Sequence, residues 1–204
     1  MSALADTLIL SCAIGLTGAL APGPTLVATV GAAVAHGWTA GPRVTAGHMA
    51  VEAGIFLLIL SGAAYGAAEH TGAIACIGGA ALLGFGAMTV RESRTAVIAT
   101  AGSGLSGSPV FAGALTSASN PYFWLWWITI GSALLLQASE AGIAIAVAFM
   151  AGHWAADMGW FTVVASVIAR GGTVLSDRTY RMLLAACGLF LAAFGIWYMA
   201  SAFA

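Results

Sequence analysis

The sequence predicts an all-α membrane protein of six transmembrane helices, built as two inverted three-helix repeats with helices 1 and 4 broken at proline. Three observations carry this expectation. Hydrophobic residues make up 61% of the chain and charged residues 6%, with a mean hydropathy of +0.99. A soluble domain carries about 25% charged residues, so this chain lacks the polarity to cover a water-facing surface. Six apolar segments near the ~20 residues that span a bilayer can be cut from it, at 7–34, 44–67, 73–90, 110–136, 142–168 and 180–203. Finally, Ala46-Gly47-His48 with Glu52 returns 105 residues later as Ala151-Gly152-His153 with Asp157.

Segment 1 is long, and Pro22-Gly23-Pro24 interrupts it near its middle. Proline removes a backbone donor and clashes with the preceding turn, so two prolines around a glycine break the helix. His36–Arg43 separates it from segment 2, which carries His48 and Glu52. Segment 3 is rich in small residues, Gly78, Gly79, Gly84 and Gly86, of the kind that let membrane helices approach closely. Segment 4 is broken at Asn120-Pro121 and crowded with Trp124, Trp126 and Trp127. Segment 5 carries His153, Asp157 and Trp160, and segment 6 closes the chain. Gly102-Ser103-Gly104-Leu105-Ser106-Gly107-Ser108 is the one linker-like run. Residues 1–204 therefore read as a single transmembrane domain: repeat 1 over 1–95, a linker over 96–107, and repeat 2 over 108–204.

The charges test this division independently. Loops 1–2, 3–4 and 5–6 hold all six arginines: Arg43, then Arg91 and Arg94, then Arg170, Arg178 and Arg181. The termini and the other two loops carry Asp6, Glu69 and Glu140 instead. Basic residues flank spans on the cytoplasmic side, so both termini are expected outside in a multi-pass protein of the cytoplasmic (inner) membrane. Trp38, Trp197 and Tyr198 fall near span ends, where interfacial aromatics belong. There is no lysine and no basic patch, so nucleic acid is not an expected partner. The N-terminus lacks a positive n-region, which argues against a cleaved signal peptide. Cys12, Cys76 and Cys187 form no Cys-x-x-Cys pair, so no thiol relay or disulfide is expected.

The repeat extends beyond helices 2 and 5. Gly18-Ala19-Leu20 recurs as Gly113-Ala114-Leu115, and Phe85-Gly86 as Phe194-Gly195, at offsets of 95 and 109. An odd number of spans per unit makes the second copy enter the membrane from the opposite side. Such inverted repeats recur in secondary transporters, with the substrate near the midplane between the repeats.

Four features carry chemistry. A break at membrane depth survives where protein or water satisfies the freed backbone groups, and the half-helix after it presents N–H groups to an anion such as a carboxylate. Thr25 to Ala28 and Tyr122 to Leu125 are the residues placed to do so; the plainer alternative is two structural kinks. Glu52 and Asp157 lie near the middle of their spans, where ionisable residues mark ion or substrate paths; the alternative is a structural carboxylate. His48 and His153 share a face with their acids by i,i+4 spacing and can orient them, relay protons or pack. Two histidines and two acids also suit a divalent metal, although no His-rich loop or Asp-rich motif accompanies them. The tryptophans of helices 4 and 5 can line a cation site or simply pack.

On Pro22-Gly23-Pro24, Gly37, Gly41, Gly47 and Glu52, together with Asn120-Pro121 and Asp157, the chain resembles the LysE/RhtB family of amino-acid exporters over essentially its whole length. It departs from the family pattern at Thr25 and Tyr122, where asparagine and lysine are common, and at Val51-Glu52, where the family has Gly-Asp. The resemblance implies export of amino acids or related small zwitterions from the cytoplasm, driven by an ion gradient, usually protons. The expected substrate site is Pro22, Gly23, Pro24, Thr25, Asn120, Pro121, Tyr122, Glu52 and Asp157. Glu52, Asp157, His48 and His153 are expected to carry coupling protons. No enzyme activity, cofactor or resident metal is expected, since no Ser/His pair or His-Glu-x-x-His helix is present. The partners are a small-molecule substrate and the lipid bilayer, and the chain is compatible with a homodimer. The alternatives are a divalent metal exporter of the same superfamily and a non-transporting membrane scaffold.

Overall fold

Proline, glycine and side-chain caps set where each helix starts and stops. In the computed structural model, which describes residues 3–62, 71–97, 107–170 and 176–201, α1 (Ala3–Ala19) ends just before the Pro-Gly-Pro element and α2 (Pro24–His36) begins inside it. Pro24 takes the first helical position, where its missing N–H is harmless, and extended Gly23 precedes it. Gly37 adopts φ +65, and a 3-10 turn of Gly37–Thr39 reverses the chain into α3 (Ala40–Leu60). The predicted loop over 36–43 is therefore a three-residue turn, because a left-handed glycine ends α2 abruptly. The expected break at Glu69–Thr71, apart from Thr71 at the start of the next helix, and most of the expected linker over 96–107 lie outside the described residues.

The second half begins after α4 (Thr71–Ser93). The Ser108 side chain caps α5 (Pro109–Ala118), and Asn120 caps α6 (Pro121–Trp126) by accepting from Tyr122 N–H at 3.0 Å. A π-helical turn, Trp127–Gly131, joins α6 to α7 (Ser132–Glu140). The predicted fourth segment is thus a broken helix with a π turn in its second part. α8 (Ile143–Arg170) and α9 (Asp177–Ser201) complete the chain. Among the described residues there is no strand. Pro24–Leu60, which the turn at Gly37 divides into α2 and α3, and Asp177–Ala200 are long and apolar enough to cross a membrane by length and composition.

Packing pairs elements of the two halves. α1 lies along α8, α5 along α3, and α4 along α9. At Gly47 of α3 an added Cβ would overlap the Val110 carbonyl of α5, and at Gly113 of α5 it would overlap the Val44 carbonyl of α3. At Gly152 of α8 it would overlap the Leu8 carbonyl of α1. Gly79 abuts Gly195, and Gly86 abuts Gly188, along the α4–α9 contact. These glycines let backbones touch, as membrane helices do where no hydrophobic force between them remains. α3 also crosses α8: Gly41 meets Phe161 and Thr162, while Ile55 shares a cluster with Phe149.

The outside of the bundle is apolar. Leu10, Leu57, Ile77, Val147, Val167, Leu189 and Ile196 are all exposed. The interior holds His48, Glu52, Asn120, His153 and Asp157. That inversion of the soluble pattern is what a lipid solvent selects. Val30, Tyr180, Leu184, Ala96 and Ile168 form one cluster, and Arg181 donates to the Ala96 carbonyl at 2.8 Å. Ile168 also packs on Ala40 and Val44. These contacts gather the arginine-bearing ends of α3, α4, α8 and α9 at one end of the bundle.

Gly47→Ala is expected to destabilise the detergent-solubilised protein by an amount typical of overpacking, about 1–3 kcal/mol or more, and so to lower its thermal midpoint. Gly54→Ala, where an added Cβ meets nothing within 4 Å, is expected to leave it unchanged or raise it. Thermal unfolding of both variants checks the pair.

Candidate functional site

Because α3 and α8 cross, their equivalent faces meet. His48 and Glu52 stand one turn apart on α3, and His153 and Asp157 one turn apart on α8. All four are buried, with Glu52 1% and Asp157 2% exposed. The two pairs interlock. His153 Nε2 lies 2.9 Å from Glu52 Oε1 and 3.5 Å from Asp157 Oδ2. His48 Nε2 lies 3.1 Å from the same Glu52 oxygen and 3.6 Å from Asp157 Oδ2. Nitrogen and oxygen alternate around a closed four-membered ring of contacts, each histidine reaching both acids.

Hydrogen bonding fixes one ring tautomer. Ser117 of α5 donates its hydroxyl proton to the Gly113 carbonyl at 2.7 Å. A hydroxyl has one proton, so at 2.6 Å Ser117 Oγ must accept from His48 Nδ1. His48 therefore carries a proton on Nδ1 and turns Nε2 toward the acids. Two lone pairs at 3.1 Å repel, so a proton shared with Glu52 or Asp157 has to sit on Nε2 or on a carboxyl. His153 has no such anchor. Its Nδ1 is buried without a hydrogen-bond partner and packs against Gly15, where an added Cβ would come within 2.8 Å.

Aromatic rings wall the four side chains. Trp127 donates Nε1–H to Glu52 Oε1 at 3.1 Å. Trp126 lies over His153 with centroids 4.8 Å apart at 31°. Phe123 and Phe161 present edges to His48. Gly131 makes room for the two indoles, since a Cβ there would press on both at 2.7 Å. π turns are frequent at functional sites, and here the turn begins at Trp127, the second of the two site tryptophans. Glu52 Oε2, Asp157 Oδ2 and Trp126 Nε1 remain buried without hydrogen-bond partners.

A cavity of about 60 Å³ opens on this cluster, room on the order of four waters or a small ligand group. Its lining includes His48, Glu52, His153 and Asp157, and also Gly23, Thr25, Leu26, Asn120 and Tyr122 from the two helix breaks. Pro22, Pro24 and Pro121 make the breaks but are not among its lining residues. The breaks adjoin one another: Thr116 Oγ1 is 3.4 Å from Thr25 Oγ1, and the Asn120 amide faces Gly23.

The two half-helix ends differ. The start of α2 leaves the N–H groups of Thr25 and Leu26 without intrahelical partners, whereas Val27 already bonds to Gly23 O. At α6 the N–H of Tyr122 is taken by Asn120 and that of Trp124 by the Asn120 carbonyl. The donor sets expected over Thr25 to Ala28 and Tyr122 to Leu125 are therefore narrower than the sequence implies, and the second is largely capped from within. Of the tryptophans, Trp126 and Trp127 line the cavity, while Trp124 is partly exposed and bonds to the Ala118 carbonyl. Sequence reasoning missed Ser117 and Gly15, which act only across helices distant in sequence.

Searches of curated proteins and of solved structures each returned no match. The family model of the LysE type translocator matches residues 16–201. That match covers nearly the whole chain, including both breaks and all four ionisable side chains. The chain belongs to the LysE type translocator family, and it is a membrane protein that exports small molecules rather than an enzyme.

Proposed function

We propose that this translocator exports amino acids or related small zwitterions across the cytoplasmic membrane, coupled to protons, as six spans arranged in two inverted repeats. The observation that carries the reading is that one cavity is lined by residues of both helix breaks and by both buried acids. A zwitterion matches that lining. Its carboxylate suits the first-turn N–H groups of α2 and the unpartnered Trp126 Nε1. Its ammonium group suits the unpartnered oxygens of Glu52 and Asp157.

The same four ionisable groups supply a proton store. Every contact in the ring joins an imidazole nitrogen to a carboxylate oxygen, so a proton can pass between the repeats over about 3 Å. An arriving ammonium group competes with the imidazoles for the carboxylates, which links substrate entry to proton movement. The packing supports the inverted arrangement. α1 against α8 mirrors α5 against α3, and the Gly79–Gly195 contact mirrors Gly188–Gly86 at the same 109-residue offset. Rocking of one repeat against the other would then expose the cavity alternately.

Proteoliposomes loaded with a panel of amino acids are expected to show efflux accelerated by an opposing proton gradient. Glu52→Gln and Asp157→Asn are each expected to reduce that efflux at least tenfold without loss of a monodisperse elution profile. Amino-acid retention at every gradient tested contradicts the reading. For topology, the native cysteines are first replaced by alanine. Ala141→Cys is then expected to react with an impermeant maleimide from outside the cell, and Arg94→Cys only after the membrane is opened; the reverse pattern contradicts the orientation.

A further inference from the structure

We propose that the ring of His48, Glu52, His153 and Asp157 is a binding site for a divalent transition-metal ion. The inference rests on the reading of this cavity as the transport site, and not on an amino acid as its cargo. Three independent features of the ring carry it.

The first is spacing. A four-coordinate ion with bonds of about 2.0–2.1 Å holds adjacent ligand atoms about 2.9–3.4 Å apart. The four nitrogen–oxygen edges run from 2.9 to 3.6 Å. The ligand atoms of His48, Glu52 and Asp157 all lie within 4.8 Å of one another, and His153 Nε2 bridges the two acids from the opposite helix. His48, Glu52 and Asp157 thus form a three-ligand set, and His153, beside both acids, stands as its fourth member.

The second is orientation. Ligating histidines characteristically donate their other ring N–H to a fixed acceptor, which sets the tautomer. His48 Nδ1 donates to Ser117, whose own proton goes to Gly113 O, so Nε2 is the nitrogen turned inward. Trp127 holds Glu52 Oε1 in the same manner. The groups that would orient His48 and Glu52 on a metal are therefore already built into α5 and the π turn.

The third is unmet polarity. Glu52 Oε2 and Asp157 Oδ2 are buried with no hydrogen-bond partner, inside a cavity walled by Phe123, Trp126 and Phe161. With neutral imidazoles the four groups carry two negative charges, which one divalent cation cancels. Two imidazoles with two carboxylates suit zinc, cobalt, nickel or manganese rather than calcium or magnesium. The helix breaks would then take an anion accompanying the ion or a water of its shell.

Binding is tested on the full chain purified in detergent, with no histidine tag, by titration with Zn2+ and with Co2+. One ion per chain is expected, and Co2+ is expected to gain the intensified visible bands of a low-coordinate nitrogen–oxygen site. His48→Gln and His153→Gln should each weaken binding at least tenfold. Ser117→Ala, which removes only the anchor of His48, should weaken it by about 10–100-fold. The double variant His36→Ala with His70→Ala should bind as the parent does. All variants are checked for a parental elution profile and thermal midpoint, so that loss of fold is not read as loss of the site. Absence of saturable binding to the parent overturns the proposal. So does binding that survives in a folded His48→Gln/His153→Gln variant, or that disappears with His36 and His70. Because this readout needs no flux, it fails or succeeds separately from amino-acid efflux in vesicles.

Discussion

Two carboxylates buried in an apolar bundle are the constraint on which the rest of this structure depends. An ionised side chain at the centre of a bilayer costs at least about 2.5–3.5 kcal/mol, and two close together also repel. Glu52 and Asp157 are each offered imidazole nitrogens from both α3 and α8, and Glu52 also takes an indole N–H. That provision is possible only where α3 and α8 cross closely. The glycines serve this need. Gly41 lets the start of α3 meet α8, Gly152 seats α8 on α1, Gly47 seats α3 on α5, and Gly15 leaves room for the His153 ring. The small-residue pattern that reads in sequence as generic membrane packing is, in this region, the means of assembling the site.

The helix breaks follow from the same constraint. Backbone polar groups freed by proline within a membrane survive only beside protein donors, acceptors or a wet cavity. The cavity that the acids require supplies that setting, and both breaks line it. The two halves nevertheless do not serve it equally. α6 is capped by its own Asn120, while Gly23 gives α2 no side-chain cap. His48 is anchored through Ser117, while His153 Nδ1 has no partner. The two halves thus differ, with one fixed and one less constrained histidine, and one closed and one open helix end.

Much of this was legible in the sequence, and the failures have physical causes. The helical segments, the one-sided arginines and the two breaks depend on composition and proline chemistry, which are local. The pairing of His48 with Glu52 and of His153 with Asp157 is local too, by i,i+4 geometry. Their convergence was inferable from the repeat, because equivalent faces of antiparallel helices meet. The three-residue turn at Gly37 was read as a longer loop, since its φ of +65 is not encoded by glycine alone. The π turn after Trp126 was not legible: its register depends on two indoles packing over Gly131. Ser117 gave no signal either. It lies 69 residues from His48, and no histidine–serine anchor repeats in the other half. The donors after Asn120-Pro121 were overcounted because a capping side chain competes with a ligand for the same N–H.

The electrostatics of the cavity narrow what it can hold. At one side it offers the positive end of α2 and an unpartnered indole N–H; at the other, two carboxylates with oxygens left over. An uncharged solute satisfies neither side and would leave buried polar groups unmet, each worth about 1–3 kcal/mol. A simple anion satisfies the helix end but adds negative charge near Glu52 and Asp157. The occupants that leave no group unmet are those carrying positive charge toward the acids with negative or lone-pair character toward the break. A zwitterion does so within one molecule, and a divalent ion does so together with its anion or water. Both displace the imidazoles from their carboxylate contacts or recruit them as ligands, so in either case the histidines register occupancy. On the proposed function, position in the ring, rather than the identity of the cargo, would make His48 and His153 responsive to loading.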